Sequence, residues 1–306
     1  MIETMFPTKT GFISFRLYDV WYKIVGDHEE PGKLPLLCLH GGPGMPSWYL
    51  QPLEAFAAAG RRVIFYDQVG CGHSEHYHDP ALWTLALFVE ELGVVRQALG
   101  LAHVHLLGHS WGGMLALEYA LSQPAGLASL IIASAGASSP QWNAEIQRLR
   151  SELPLDVQAI LQQHETAGTT DALEYIEAEG VFAARHLCRL DPLPDYLDET
   201  FPQLRQEVYH AMCGESEIRG VTGNLKDWDI TARLGEIRAP TLITCGRYDE
   251  ATPVLAETMQ RGIPGAESVI FEQSAHFAFA EEPERFRQVV NQFSNCVEMS
   301  ASSGQG

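Results

Sequence analysis

Residues 104–120 constrain this chain more than any other stretch. The apolar run Val104-His105-Leu106-Leu107 leads into Gly108-His109-Ser110-Trp111-Gly112, and the helix-like Met114-Leu115-Ala116-Leu117-Glu118-Tyr119-Ala120 follows. Strand, Gly-x-Ser-x-Gly, helix is the context of a nucleophile elbow. A sharp strand-to-helix turn needs small residues where backbone and helix approach closely. Such a turn lifts the Ser110 hydroxyl above the sheet. It also sets the next backbone N–H at a helix N-terminus, where it can face a developing oxyanion. These features predict hydrolytic chemistry.

The surrounding pattern predicts the fold. Residues 11–17 and 20–25 read as two short strands joined at Tyr18-Asp19. Continuous apolar runs at 34–39, 62–66, 103–107, 129–133 and 240–245 suit strands buried on both faces of a parallel sheet. Helix-like segments at 50–59, 84–99 and 114–123 alternate with them, so an α/β, doubly wound, mostly parallel sheet is expected. The alternation stops after Gly136. From 140 to 226 only helical segments are read (141–153, 155–167, 171–184 and 200–212), and strands resume near 237–245. This predicts a helical cap at 137–226 inserted into a core of 1–136 and 227–298, covering the C-terminal ends of the strands. The Ser-, Gly- and Gln-rich stretch 299–306 reads as a disordered tail.

A serine hydroxyl is a poor nucleophile near neutral pH and needs a general base that a carboxylate orients. In this fold the chain order is Ser, acid, His. The acid is expected at Asp249, just past the strand-like run ending at Cys245, and the base at His276, the last histidine and the only one after Asp249. The oxyanion needs two backbone donors. Trp111 supplies one. The other comes from His40-Gly41-Gly42-Pro43-Gly44, where Pro43 has no N–H; Gly42 is the first choice and Gly41 the second.

His40-Gly41-Gly42-Pro43-Gly44, Asp67-Gln68-Val69-Gly70-Cys71-Gly72-His73-Ser74 and Gly108-His109-Ser110-Trp111-Gly112-Gly113 together resemble the proline iminopeptidase family of α/β-hydrolases. That family includes tricorn-interacting aminopeptidases and L-amino-acid amidases. The resemblance spans about residues 10–295, with Val69 standing where many members carry Arg. It implies recognition of a free α-amino group by two carboxylates. Glu250 holds the position directly after the triad acid. Glu217 best matches the family's Gly-x-x-Glu pattern near the end of the cap, with Glu215 as the alternative. The implied activity is cleavage of the amide bond after an N-terminal L-amino acid with a free amine. Release of ammonia from amino-acid amides such as prolinamide is an alternative, and an esterase or lactonase on the same fold is a second one.

Composition narrows the partners. A formal charge of −19 argues against nucleic acid and anionic membrane surfaces, and it permits steering of cationic substrates. The expected partner is a small peptide or amino-acid amide. No run is long and apolar enough to span a bilayer, and the N-terminal residues show no signal-peptide pattern. The six cysteines are scattered without a Cys-x-x-Cys pair, which suggests reduced thiols in a cytoplasmic protein. No cofactor is expected, because Gly70-Cys71-Gly72 lacks the order and helix context of a dinucleotide fingerprint. No metal is expected at His73, His76, His78 and Asp79, which read as a surface loop.

Overall fold

The computed structural model describes residues 6–76 and 79–303. Eight strands form one sheet: β1 (Thr8–Phe15), β2 (Tyr18–Val25), β3 (Leu36–Leu39), β4 (Val63–Tyr66), β5 (Val104–His109), β6 (Leu127–Ala133), β7 (Thr241–Gly246) and β8 (Glu267–Phe271). Their order is β1-β2-β4-β3-β5-β6-β7-β8. β1 and β2 pair antiparallel, β2 joins β4 antiparallel, and every later pairing is parallel. The first hairpin turns at Arg16-Leu17 rather than Tyr18-Asp19, because Arg16 takes the left-handed conformation (φ 56°) that closes a two-residue turn.

The central strands are apolar on both faces because both faces are covered. Leu37 and Leu39 of β3 face one core layer, and Leu36 and Cys38 face the other. The first layer is closed by helices α1 (Leu85–Ala98) and α2 (Trp111–Leu121). Thr84 caps α1, its hydroxyl accepting the Leu87 N–H. The second layer is closed partly by residues Ser47–Ala59. They form a 3₁₀ helix that starts ahead of the helix-like segment expected at 50–59, and Pro52 inside it has no N–H to donate.

Between β6 and β7 the chain leaves the sheet and returns beside itself. Ser138 and Asp229 form an isolated antiparallel bridge at the stem. The insert carries α3 (Ser139–Ser151), α4 (Leu155–Ala167), α5 (Leu173–His186), α6 (Asp195–Asp198) and α7 (Gln206–Met212). Trp142, Ile146, Leu161, Tyr175 and Phe182 give it a core of its own, joined to Ala251 and Leu255 of the sheet domain. The helix expected over 200–212 is broken. Leu204 turns extended (ψ 123°), and the Arg205 N–H donates to Gly44 O at 2.9 Å rather than into a helix. A tertiary contact to the glycine loop overrides local propensity there.

The remaining helices are α8 (Pro253–Gly262), α9 (Ala278–Glu281) and α10 (Pro283–Ser303). The last corrects the expected disordered tail: helix continues to Ser303, and residues 304–306 lie outside the described residues. The apolar stripe of Phe286, Val290 and Phe293 runs on to Val297 against the sheet. Each fully buried side chain of this kind contributes about 2 kcal/mol. One residue on, the Glu298 carboxylate accepts from Arg61 Nη1 (3.0 Å), the Leu34 N–H (2.9 Å) and His105 Nε2 (3.2 Å). Among the described residues no helix is long and apolar enough to cross a membrane.

Candidate active site

Ser110 sits between the end of β5 and the first residue of α2, with φ at 56°. A non-glycine residue holds that conformation only when its surroundings enforce it. Here the Ser110 N–H donates to Ala133 O (2.9 Å), and Ser110 O accepts from the Gly113 N–H (2.8 Å). The motif glycines are needed for close approach. A Cβ on Gly108 would lie 2.1 Å from Gly112 O, and one on Gly112 would lie 2.3 Å from Leu39 O. The turn puts Ser110, still 9% exposed, into a cavity that His276 also lines.

Asp249 follows β7 and is buried. Its Oδ1 accepts from His276 Nδ1 at 2.7 Å and from the Ala251 N–H at 2.8 Å. Burial opposes charge on His276, but the Asp249 carboxylate overcomes it and holds the imidazole above its ordinary value. With the Nδ1 proton committed to Asp249, the Nε2 lone pair is the basic site. The His276 backbone is clamped as well. Its N–H donates to Leu187 O (2.9 Å), at the end of α5. Glu281 Oε2 accepts from the flanking Ala275 (2.9 Å) and Phe277 (3.2 Å) N–H groups.

The glycine loop after β3 lies against the serine. The Gly41 N–H already donates to Tyr49 Oη at 2.6 Å, which leaves Gly42 as the loop's open donor of the two considered. His40 Nδ1 donates to Gly41 O (3.0 Å), and His40 Nε2 accepts from the Gln68 N–H (2.9 Å). Gly41 O and the Gly42 N–H belong to one peptide plane, so holding the first orients the second. Gly42 (φ 107°) and the indole residue Trp111 both line a second, smaller cavity beside Ser110, together with Trp142 and Trp228.

Two carboxyls enter the Ser110 cavity. Glu250 is fully buried, and neither of its oxygens meets a protein donor. Its N–H donates to His186 O (3.1 Å), and its Oε1 lies 3.9 Å from His276 Nε2. Burial, then the Glu217 and Asp249 carboxylates, push the Glu250 carboxyl well above the usual range. Glu217 lines the same cavity, and its Oε2 accepts the Tyr209 hydroxyl at 2.7 Å. Glu215 instead forms an exposed ion pair with Arg219. Between the two acids weighed near the end of the insert, the structure thus brings Glu217 to the serine.

Sequence reasoning passed over Tyr49, His109, Tyr209 and Glu281. Only His109 carried a visible signal, as a histidine inside the elbow itself. The others are recruited by tertiary packing. No three His, Cys, Asp or Glu side chains converge as a metal site among the described residues, and His78 lies outside them.

Comparison with known proteins gives the family of the chain. The family model described as alpha/beta hydrolase fold matches residues 35–283. A proline iminopeptidase of Heyndrickxia coagulans is 42% identical over 288 residues, 94% of this chain and 96% of that protein. The crystal structure of a Mycobacterium smegmatis proline iminopeptidase superposes with a TM-score of 0.91 at 39% identity, covering 96% of this chain and 100% of that one. The crystal structure of VinJ gives a TM-score of 0.90 at 39% identity, over 94% and 99% of the two chains. The chain belongs to the proline iminopeptidase family of the α/β-hydrolases.

Proposed function

We propose that this serine hydrolase releases an N-terminal residue with a free amine, such as proline, from short peptides through an acyl-enzyme on Ser110. The observation that carries the reading is the meeting of Ser110, His276, Glu217 and Glu250 around one cavity, with Asp249 bonded behind His276. His276 Nε2 takes the hydroxyl proton as Ser110 Oγ attacks the carbonyl carbon. The N–H groups of Gly42 and Trp111 receive the oxyanion. The imidazolium, stabilised by Asp249, protonates the leaving nitrogen as the C–N bond breaks. Water then attacks the acyl-enzyme by the same route, and Ser110 regains its proton.

Glu217 and Glu250 receive the substrate ammonium. An interior peptide bond offers no such cation and would leave buried carboxyls unmatched, which supports exopeptidase selectivity. The net charge of −19 suits a cationic N-terminus rather than a nucleic acid, and the scattered free cysteines suit the cytoplasm.

Steady-state kinetics on Glu250→Gln test this reading. Prolyl p-nitroanilide should lose about 100-fold in kcat/KM, largely through KM, as expected for loss of a buried charge partner. A neutral p-nitrophenyl ester should change less than about 3-fold. Equal losses on both substrates would overturn amine recognition.

A further inference from the structure

The motif leaves open the residue between Gly108 and Ser110, and here it is a buried histidine with both ring nitrogens engaged. His109 Nδ1 lies 2.9 Å from Tyr49 Oη, and His109 Nε2 lies 2.9 Å from His276 O. Tyr49 Oη also lies 2.6 Å from Gly41 N. The protons in this chain can be assigned from its two ends. The Gly41 amide can only donate, so Tyr49 accepts from it. The His276 carbonyl can only accept, so His109 carries its proton on Nε2. Nδ1 must then accept, and the phenol donates to it. Four groups are linked in one direction, from the glycine loop through the elbow to the loop of the base.

All members are buried: Tyr49 is 2% exposed, His109 1% and His276 3%. The rings pack edge-on, with His109 centred 5.5 Å from Tyr49 and 4.7 Å from His276. Burial, and then the adjacent His276, hold the His109 imidazole well below its ordinary value, so it stays neutral while His276 gains and loses a proton. A protonated His109 would carry a proton on Nδ1 and face the phenol donor with another donor.

We infer that Tyr49 and His109 are positioning residues that tie the oxyanion-binding backbone of Gly41–Gly42 to the peptide of His276, so that donor and base keep one register. This rests on the Ser110 mechanism proposed above. It adds a link that the mechanism itself does not need, since neither side chain touches the reacting atoms in that scheme.

The test compares Tyr49→Phe, His109→Leu and the double variant, with His109→Gln as the conservative form that keeps an amide donor and acceptor. Readouts are kcat and KM on prolyl p-nitroanilide and on a p-nitrophenyl ester, with the folded fraction fixed by circular dichroism. Each disruptive single variant should lose about 10- to 100-fold in kcat on both substrates, less than deleting a donor outright, with KM within about 3-fold. The double variant should be no worse than about the poorer single, because both break one chain. His109→Gln should recover part of the loss, and Tyr49→Phe alone serves as the disruptive variant if the Leu variant does not fold. Wild-type kcat in folded Tyr49→Phe or in folded His109→Leu, or losses that multiply in the double variant, would overturn the inference. A loss confined to the amine substrate would also count against it. The parent reading fails separately, if Ser110→Ala keeps its activity.

Discussion

Tyr209 donates its hydroxyl to Glu217 Oε2 across 2.7 Å, and so anchors the carboxyl that shares a buried cavity with Glu250. Tyr209 belongs to α7, while Glu217 opens a 3₁₀ turn at Glu217–Arg219, so two parts of the insert cooperate in one contact. A hydrogen bond to a charged group contributes about 1.5–3 kcal/mol. Tyr209→Phe should therefore raise KM for prolyl p-nitroanilide by about 10-fold and leave a neutral ester within about 2-fold. A KM ratio near one for the two substrates would show that Glu217 is oriented without its phenol.

The same site should cost the protein stability as pH rises. The Glu250 carboxyl is held above its unfolded value, first by burial and then by Glu217 and Asp249. Above about pH 4.3, where a free Glu ionises, the folded state binds more protons than the unfolded state, so stability falls with pH. Glu250→Gln removes that dependence and offers Glu217 an amide donor. The variant should be more stable than wild type by about 2 kcal/mol at pH 8, with the gap closing toward pH 4. Urea unfolding at the two pH values checks this; a gap independent of pH would contradict it.

Glu298 has the opposite sign. Burial alone would raise its carboxyl, but hydrogen bonds from His105 and the Leu34 N–H, with the Arg61 charge, bring it down to about 2. Its contribution is complete above about pH 4.3 and is lost as pH falls through about 2. Glu298→Gln leaves the buried Arg61 without its ion-pair partner and should cost about 3 kcal/mol at pH 7. The two proteins should converge near pH 2. Loss of the C-terminal turns of α10 in the variant, seen as faster amide exchange there, would accompany the effect.

Glu298 also shows where the sequence is silent. Residues 299–303 look unstructured in isolation. Their helix is set by Arg61, 237 positions away, and by the continuing apolar stripe. Likewise Pro202 and the bond from Arg205 to Gly44 break a segment that reads as one helix. Elements whose structure is local are legible: the buried four-residue strands, the capped α1, and α4, whose residues 155–167 coincide with the expected segment. The Asp249–His276 contact is legible from chain order, because strand ends in this fold converge on one edge. The partners of Glu217 and Gly41 are not, since tyrosines at 209 and 49 carry no periodic signal that points to either.

The insert does more than roof the cavity. Consecutive carbonyls at the end of α5, on His186 and Leu187, receive the amides of Glu250 and His276. A lid that supplies the struts for the parts beneath it cannot be lifted or trimmed without slackening them. Enlarging the entrance by deleting these helices would therefore unseat the machinery, and access has to be widened by reshaping side chains on an intact scaffold.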